Sequence, residues 1–194
     1  MTDISALLKD AYKAAAVVVI PGGGTFGMES IARQFANDKH VMIIRNGWFS
    51  YRWSEILEKG KIASSTTVMM ARREDTGGSN QMAPFTPVPV DEVVATIRDE
   101  KPAVVFAPHV ETSAGMILPD DFIRAVSDAV HEVGGIFVLD CVASGALWVD
   151  MPALGVDVLL SAPQKGWSAS PCAGLVMLSE RGRAAVAANE SSIY

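Results

Sequence analysis

A chain of 194 residues, 49% hydrophobic and 20% charged, is long enough to bury one substantial core and too apolar to be disordered. Its net charge of −6 argues against nucleic acid or an anionic membrane surface as a partner.

Thr2 or Asp3 can cap a first helix, which the spacing of Leu7, Leu8, Ala11 and Tyr12 carries to about Ala16. A short buried strand over 17–20 follows. The apolar run that contains it, 14–20, is far short of the ~20 residues a membrane span needs. With Asp3 and Asp10 ahead of it and no basic segment, it does not read as a signal peptide either. Pro21-Gly22-Gly23-Gly24-Thr25 breaks the strand, and a helix resumes over 28–35. A second strand over 41–44, a helix over 48–59 and a third strand over 63–70 come next. The polar, Gly- and Pro-rich stretch 74–89 reads as a long connection making a surface excursion. A helix over 91–98 and a fourth strand over 103–107 precede Pro119, which starts a helix running to Val133. Gly134-Gly135 stops that helix, and strands over 136–139, 156–161 and 174–178 complete seven, with a last helix from Glu180. The tail 188–194 shows no fold-closing pattern. Cys141 and Cys172 stand in neither a CxxC nor a metal-ligand spacing, which suits a reducing compartment, and a cytoplasmic location is expected.

Unbroken apolar strands separated by helices imply a parallel sheet covered on both faces. The sixth and seventh strands are joined by a loop without a clear helix. Parallel pairs need a long crossover, so the seventh is the expected antiparallel strand.

The chain is organised around Val156-Asp157-Val158-Leu159-Leu160-Ser161-Ala162-Pro163-Gln164-Lys165-Gly166-Trp167. A strand there ends in a loop carrying one lysine, and open α/β sheets bind their ligands at carboxyl ends of strands. Lys165, if partly desolvated, has a lowered pKa and can form a Schiff base with an aldehyde. Asp140 ends the preceding strand after four apolar residues, where a carboxylate is costly to bury without a partner. It is either a solvated strand end or the partner of a specific cation such as a pyridinium nitrogen; an aspartate plus a Schiff-base lysine is what proteins supply to pyridoxal phosphate. Gly22-x-Gly24-x-x-Gly27 runs from strand into helix, the place where backbone N–H groups cradle phosphate. It is equally compatible with a plain glycine turn. As a dinucleotide fingerprint it lacks the acidic residue that holds a ribose; Arg45-Asn46 stands there, which leaves NADP and disfavours NAD. After the fourth strand, His109 reads as a satisfied core or turn residue, and Thr112 as a donor to a phenolic oxygen. In Arg45-Asn46-Gly47-Trp48-Phe49-Ser50-Tyr51-Arg52-Trp53 one ring could stack on a planar cofactor, while Trp53 suits packing on a helix face with Phe49.

The ordered set GGGTFGMES (22–30), RNGWFS (45–50), PHVETSAG (108–115), LDCVASGALWVDM (139–151) and SAPQKGWSASPCAGLVMLS (161–179) resembles the class V aminotransferases of PLP fold type I, specifically the alanine/serine–glyoxylate aminotransferase group. The resemblance implies an α/β fold, the three-layer large domain of fold type I, whose mostly parallel seven-stranded sheet has one antiparallel strand. It implies pyridoxal phosphate as cofactor, with Lys165 as its covalent attachment point and proton shuttle and Asp140 on the pyridine nitrogen. Gly24, Thr25 and the amide of Phe26, helped by Gln164, would bind the phosphate. Phe49 would stack on the ring, with Trp48 as the fallback, Val142 would pack on the opposite face, and Thr112 would reach the phenolic oxygen. The implied reaction is transamination between alanine or serine and glyoxylate or pyruvate, in a protein that is a homodimer at full length. Cysteine desulfurases share the fold but usually carry a histidine where Gln164 precedes the lysine. Residues 1–194 would form the PLP-binding large domain alone, without the family's C-terminal small domain and N-terminal segment. An inert, truncated PLP-binding fragment is therefore the second reading, and an NADP-dependent oxidoreductase the third.

Overall fold

The computed structural model describes residues 2–73 and 83–189. β-Branched and long aliphatic runs give the strands β1 (Ala16–Pro21), β2 (His40–Arg45), β3 (Ser65–Met70), β4 (Val104–Pro108), β5 (Ile136–Asp140), β6 (Val158–Ser161) and β7 (Ala173–Leu178). Between them lie α1 (Thr2–Tyr12), α2 (Gly24–Phe35), α3 (Tyr51–Lys59), α4 (Val90–Glu100), α5 (Asp120–Glu132) and the one-turn α6 (Met151–Leu154), with α7 (Glu180–Ala188) after the last strand.

The strands form one sheet in the order β1-β7-β6-β5-β4-β2-β3. Pairs β6–β5, β5–β4, β4–β2 and β2–β3 are parallel, and β7 runs antiparallel to both of its neighbours. The seven strands and the antiparallel seventh stand as the sequence predicts. Successive strand residues point to opposite faces, so each strand feeds two cores. Met42, Ile44, Val105, Phe137 and Leu159 pack with α1, α4 and α5 on one side. Val41, Ile43, Phe106, Val138 and Leu160 pack with α2 and α3 on the other. This is the three-layer arrangement that the resemblance implies.

Several boundaries differ from the sequence reading. The first helix stops at Tyr12 instead of Ala16, because Lys13 adopts a left-handed φ of 55° and turns the chain into β1. Helix α2 begins at Gly24, earlier than residue 28, since the glycines themselves form its first turn. Helix α3 begins at Tyr51, three residues late, because 47–50 is a turn held from outside the segment, and the third strand starts at Ser65, not 63. Of the predicted excursion over 74–89, residues 74–82 lie outside the described residues; Arg72–Arg73 pairs antiparallel with Phe85–Thr86 at its ends. Of the tail 188–194, only Ala188 and Asn189 are described. Among the described residues no helix is long and apolar enough to cross a membrane.

Candidate active site

Parallel strands bring their carboxyl ends to one edge of the sheet. Asp140, last in β5, stands opposite Leu160 of β6 and Pro108 of β4. The loops leaving these three strands, with the start of α2 and the turn before α3, enclose a cavity of about 240 Å³. Its lining includes Gly24, Thr25, Phe49, Thr112, Asp140, Val142, Gln164 and Lys165. Phe26 is the one sequence-predicted site residue whose side chain is elsewhere: it is 63% exposed, and its ring lies against Gly22. Only its backbone N–H, in the first turn of α2, can serve the site.

Asp140 is the electrostatic centre. Burial pushes its carboxyl up to about 6; the Val142 N–H, 3.0 Å from Oδ1, opposes this and the nearby Glu111 carboxylate adds to it. The buried Trp53 indole N–H also favours the charged form, although it meets no acceptor in ordinary hydrogen-bond geometry. A carboxylate so poorly compensated is a site for a cationic N–H.

At the other end of the cavity, the Gly23 cap of α2 provides no side-chain hydrogen bond. The first-turn N–H groups are therefore left for a ligand, at the positive end of a three-turn helix. Arg52 of α3 lines the same cavity and donates from Nη1 to Thr25 Oγ1 at 3.4 Å, with Glu55 3.4 Å from its Nε.

The lysine loop is set by close packing. A Cβ on Gly166 would lie 2.1 Å from the Gly145 carbonyl oxygen, so only glycine lets this loop touch the loop that follows Asp140. Trp167 then packs on Trp148 (centroids 4.5 Å apart) and on Tyr12 of α1, whose hydroxyl pKa burial pushes up to about 12. Lys165 and Gln164 themselves are exposed where they line the cavity.

The two aromatic candidates separate. Phe49 faces the cavity, whereas Trp48 turns to a second, open one with Tyr51, Met70 and Phe85. Trp53 does not pair with Phe49; it is buried and stacked on Phe106 at 4.5 Å. His109 is buried against Ser144 (2.7 Å), and burial lowers its pKa, so it stays neutral as a structural residue. Arg45, on which the NADP reading depended, lies over Tyr51 and bonds Ser54 and Met70, outside the cavity.

Sequence reasoning overlooked two residues. Arg52 was one cation among many in a motif read for its aromatics. Glu111 was passed over between His109 and Thr112, yet it is 1% exposed and gathers the turn at 47–50 onto the turn at 112–114. Its partners at Phe49 and Ser50 are about sixty positions away, beyond the reach of any local pattern.

No family model matches the chain. It is 32% identical over 163 residues to a 2-aminoethylphosphonate–pyruvate transaminase of Paraburkholderia phymatum, a match covering 83% of this chain and 40% of that protein. A relative of the same description from Syntrophobacter fumaroxidans is 28% identical, over 82% of this chain and 40% of its own. The chain thus spans about 40% of the length of these curated relatives. Among solved structures, ureidoglycine-glyoxylate aminotransferase from Bacillus subtilis superposes with a TM-score of 0.79 at 20% identity, over 96% of this chain and 45% of the other. Alanine–glyoxylate aminotransferase from a Nostoc species gives 0.78 at 23% identity, over 98% and 48%.

Proposed function

We propose that this chain, similar over the length it spans to pyruvate-using transaminases and folded like the glyoxylate aminotransferases, binds pyridoxal phosphate and transfers an amino group from a small primary amine to an oxo acid. The observation that carries the proposal is the convergence of Asp140 and Lys165 on one cavity whose far end is the uncapped start of α2. The residues fit the cofactor on this chain's own chemistry. A half-buried carboxylate pushed up to about 6 wants a cationic N–H, and a helix start with unused amides wants an anion.

When bound, the cofactor supplies an electron sink for the pair released as a bond at the donor's α-carbon breaks. Asp140, ionised, would hold a proton on the pyridine nitrogen. The Lys165 amine would anchor the cofactor and would take up and return the proton that leaves the donor's α-carbon. The first-turn amides Gly24, Thr25 and Phe26 hold the phosphate, with Gln164 and Arg52 beside them. Phe49 and Val142 exclude water from the two ring faces, and Thr112 orients the phenolic oxygen.

The names of the relatives favour pyruvate as the oxo acid and 2-aminoethylphosphonate as a donor, beside alanine or serine with glyoxylate as the resemblance implies. A homodimer belongs to the same proposal, supported by exposed Trp48, Met70 and Phe85 grouped at the open cavity next to the site.

The test is visible absorbance of the purified chain with added pyridoxal phosphate, beside Lys165→Ala. A long-wavelength band that borohydride fixes covalently at Lys165, absent from the variant, is the expected result, followed by transfer from 2-aminoethylphosphonate, alanine or serine to pyruvate or glyoxylate. No band in a folded sample, or an equal band in the variant, would sink the assignment.

A further inference from the structure

The part of the site with the most organised hydrogen bonding is a residue that faces no substrate. Glu111 Oε1 accepts from the Phe49 N–H (3.1 Å), the Ser113 hydroxyl (2.6 Å) and the Ser113 N–H (3.3 Å). Its Oε2 accepts from the Ser50 N–H (2.9 Å) and the Ser50 hydroxyl (2.7 Å). Every partner is a donor, and none of them is a cation. An amide could not take its place, because its NH₂ would be turned against backbone N–H groups on one side or the other. Burial raises the carboxyl's pKa, but the donors from Ser113, Ser50 and Phe49 together outweigh it and bring it below the ordinary carboxylate value.

This carboxylate joins two segments distant in sequence. One is the turn carrying Phe49; the other is the short helical turn carrying Thr112, for which Glu111 is also the cap. Contact between them is so close that a Cβ on Gly47 would fall 2.4 Å from Ser113 Oγ and 2.8 Å from Glu111 Cδ. The Ser113 hydroxyl closes the clasp by accepting from the Trp48 N–H at 2.8 Å. Phe49 is 49% exposed and makes no ring–ring contact among the described residues, so its place is set mainly through its backbone.

Resting on the function proposed above, we infer that Glu111 is a positioning residue of the cofactor site: its buried carboxylate fixes Phe49 and Thr112 together and so sets how these two residues stand relative to Asp140. Its charge does a second job there. Its negative charge is close enough to Asp140 to raise that carboxyl's pKa, and the same negative potential favours a cationic N–H at that position.

The test is a double-mutant cycle read as equilibrium affinity for pyridoxal phosphate, with the thermal melt of the cofactor-free protein alongside. Glu111→Gln is expected to weaken binding about tenfold, as one misplaced buried hydrogen bond would. If Glu111 acts through Phe49, most of that loss disappears in a Phe49→Ala background, whereas damage to the fold alone would add in full. Ser113→Ala, which removes one donor and keeps the charge, serves if Glu111→Gln does not fold; a loss of about threefold is expected, again coupled to Phe49. Unchanged affinity in a folded Glu111 or Ser113 variant, or additive losses with Phe49→Ala, overturns the inference while wild-type binding stands. Absence of a Lys165-trapped band in the wild type overturns the functional reading itself, and this inference with it.

Discussion

Asp140 was legible in the sequence as a carboxylate closing an apolar strand, and what made it ambiguous was its environment, which depends on three strands and a tryptophan from elsewhere. The structure resolves the ambiguity through burial, and burial carries a testable consequence. A folded-state pKa of about 6 against an ordinary 3.8 means the protonated carboxyl is the form the fold prefers. Asp140 therefore contributes no penalty below the unfolded value, and the cost of ionising it grows between about 4 and 6 and is complete above that. Asp140→Asn should raise the melting temperature of the cofactor-free chain above about pH 7, by roughly 2–3 kcal/mol of stability, and the gain should fade towards pH 4. The same variant should lose amino-group transfer, because a neutral amide cannot hold the proton on a pyridine nitrogen. Equal melting temperatures at high pH would show that Asp140 is solvated and refute the basis of the site. Arg52 and Glu111 were not legible in this way, since neither its neighbours in sequence nor its residue type separates a cavity cation from a surface one, or a clasp from a solvated acid.

Elements were read well where one residue pattern decides them. Runs such as Val-Met-Ile-Ile and Val-Val-Phe-Ala leave no polar face, so buried parallel strands were the only economical reading, and the short link before β7 required its reversal. Boundaries failed where a tertiary contact, not propensity, ends the element. Lys13 could continue a helix, but the chain must turn there to set Tyr12 against Trp148 and Trp167. That aromatic group backs the lysine loop, whose other constraint is Gly166 against Gly145. Gly166→Ala should force the two loops apart, costing about 1–3 kcal/mol in overpacking and weakening cofactor affinity together. Calorimetry and an absorbance titration check both halves. A variant with native affinity would mean that the lysine's approach does not depend on this contact.

Across the whole molecule the sheet has two ends with separate duties. The carboxyl ends hold the cavity; the amino ends are closed by Asp157, 2% exposed, just ahead of β6. Its carboxylate accepts from the Phe137 N–H of β5 at 2.9 Å and pairs with His131 of α5 at 2.9 Å. It also meets the Ser179 hydroxyl at 3.4 Å and Arg181 of α7 at 3.7 Å. Arg181 in turn donates to the Gly135 carbonyl at 2.8 Å, so α5, α7 and two central strands share one knot. None of these groups lines the cavity at the other end. Removing the carboxylate leaves the buried Phe137 N–H unsatisfied and takes a partner from His131 and Arg181, which should cost about 2–3 kcal/mol. For a chain of this size Asp157→Ala should then melt roughly 5–10 °C lower. Affinity for pyridoxal phosphate, measured well below that melt, should stay within about twofold of wild type, because strands packed this densely transmit a loss at one end as earlier unfolding and not as a graded shift at the other. A folded Asp157→Ala chain that binds the cofactor ten times more weakly would show that the two ends are coupled, and the division of the sheet into a stabilising end and a chemical end would fall.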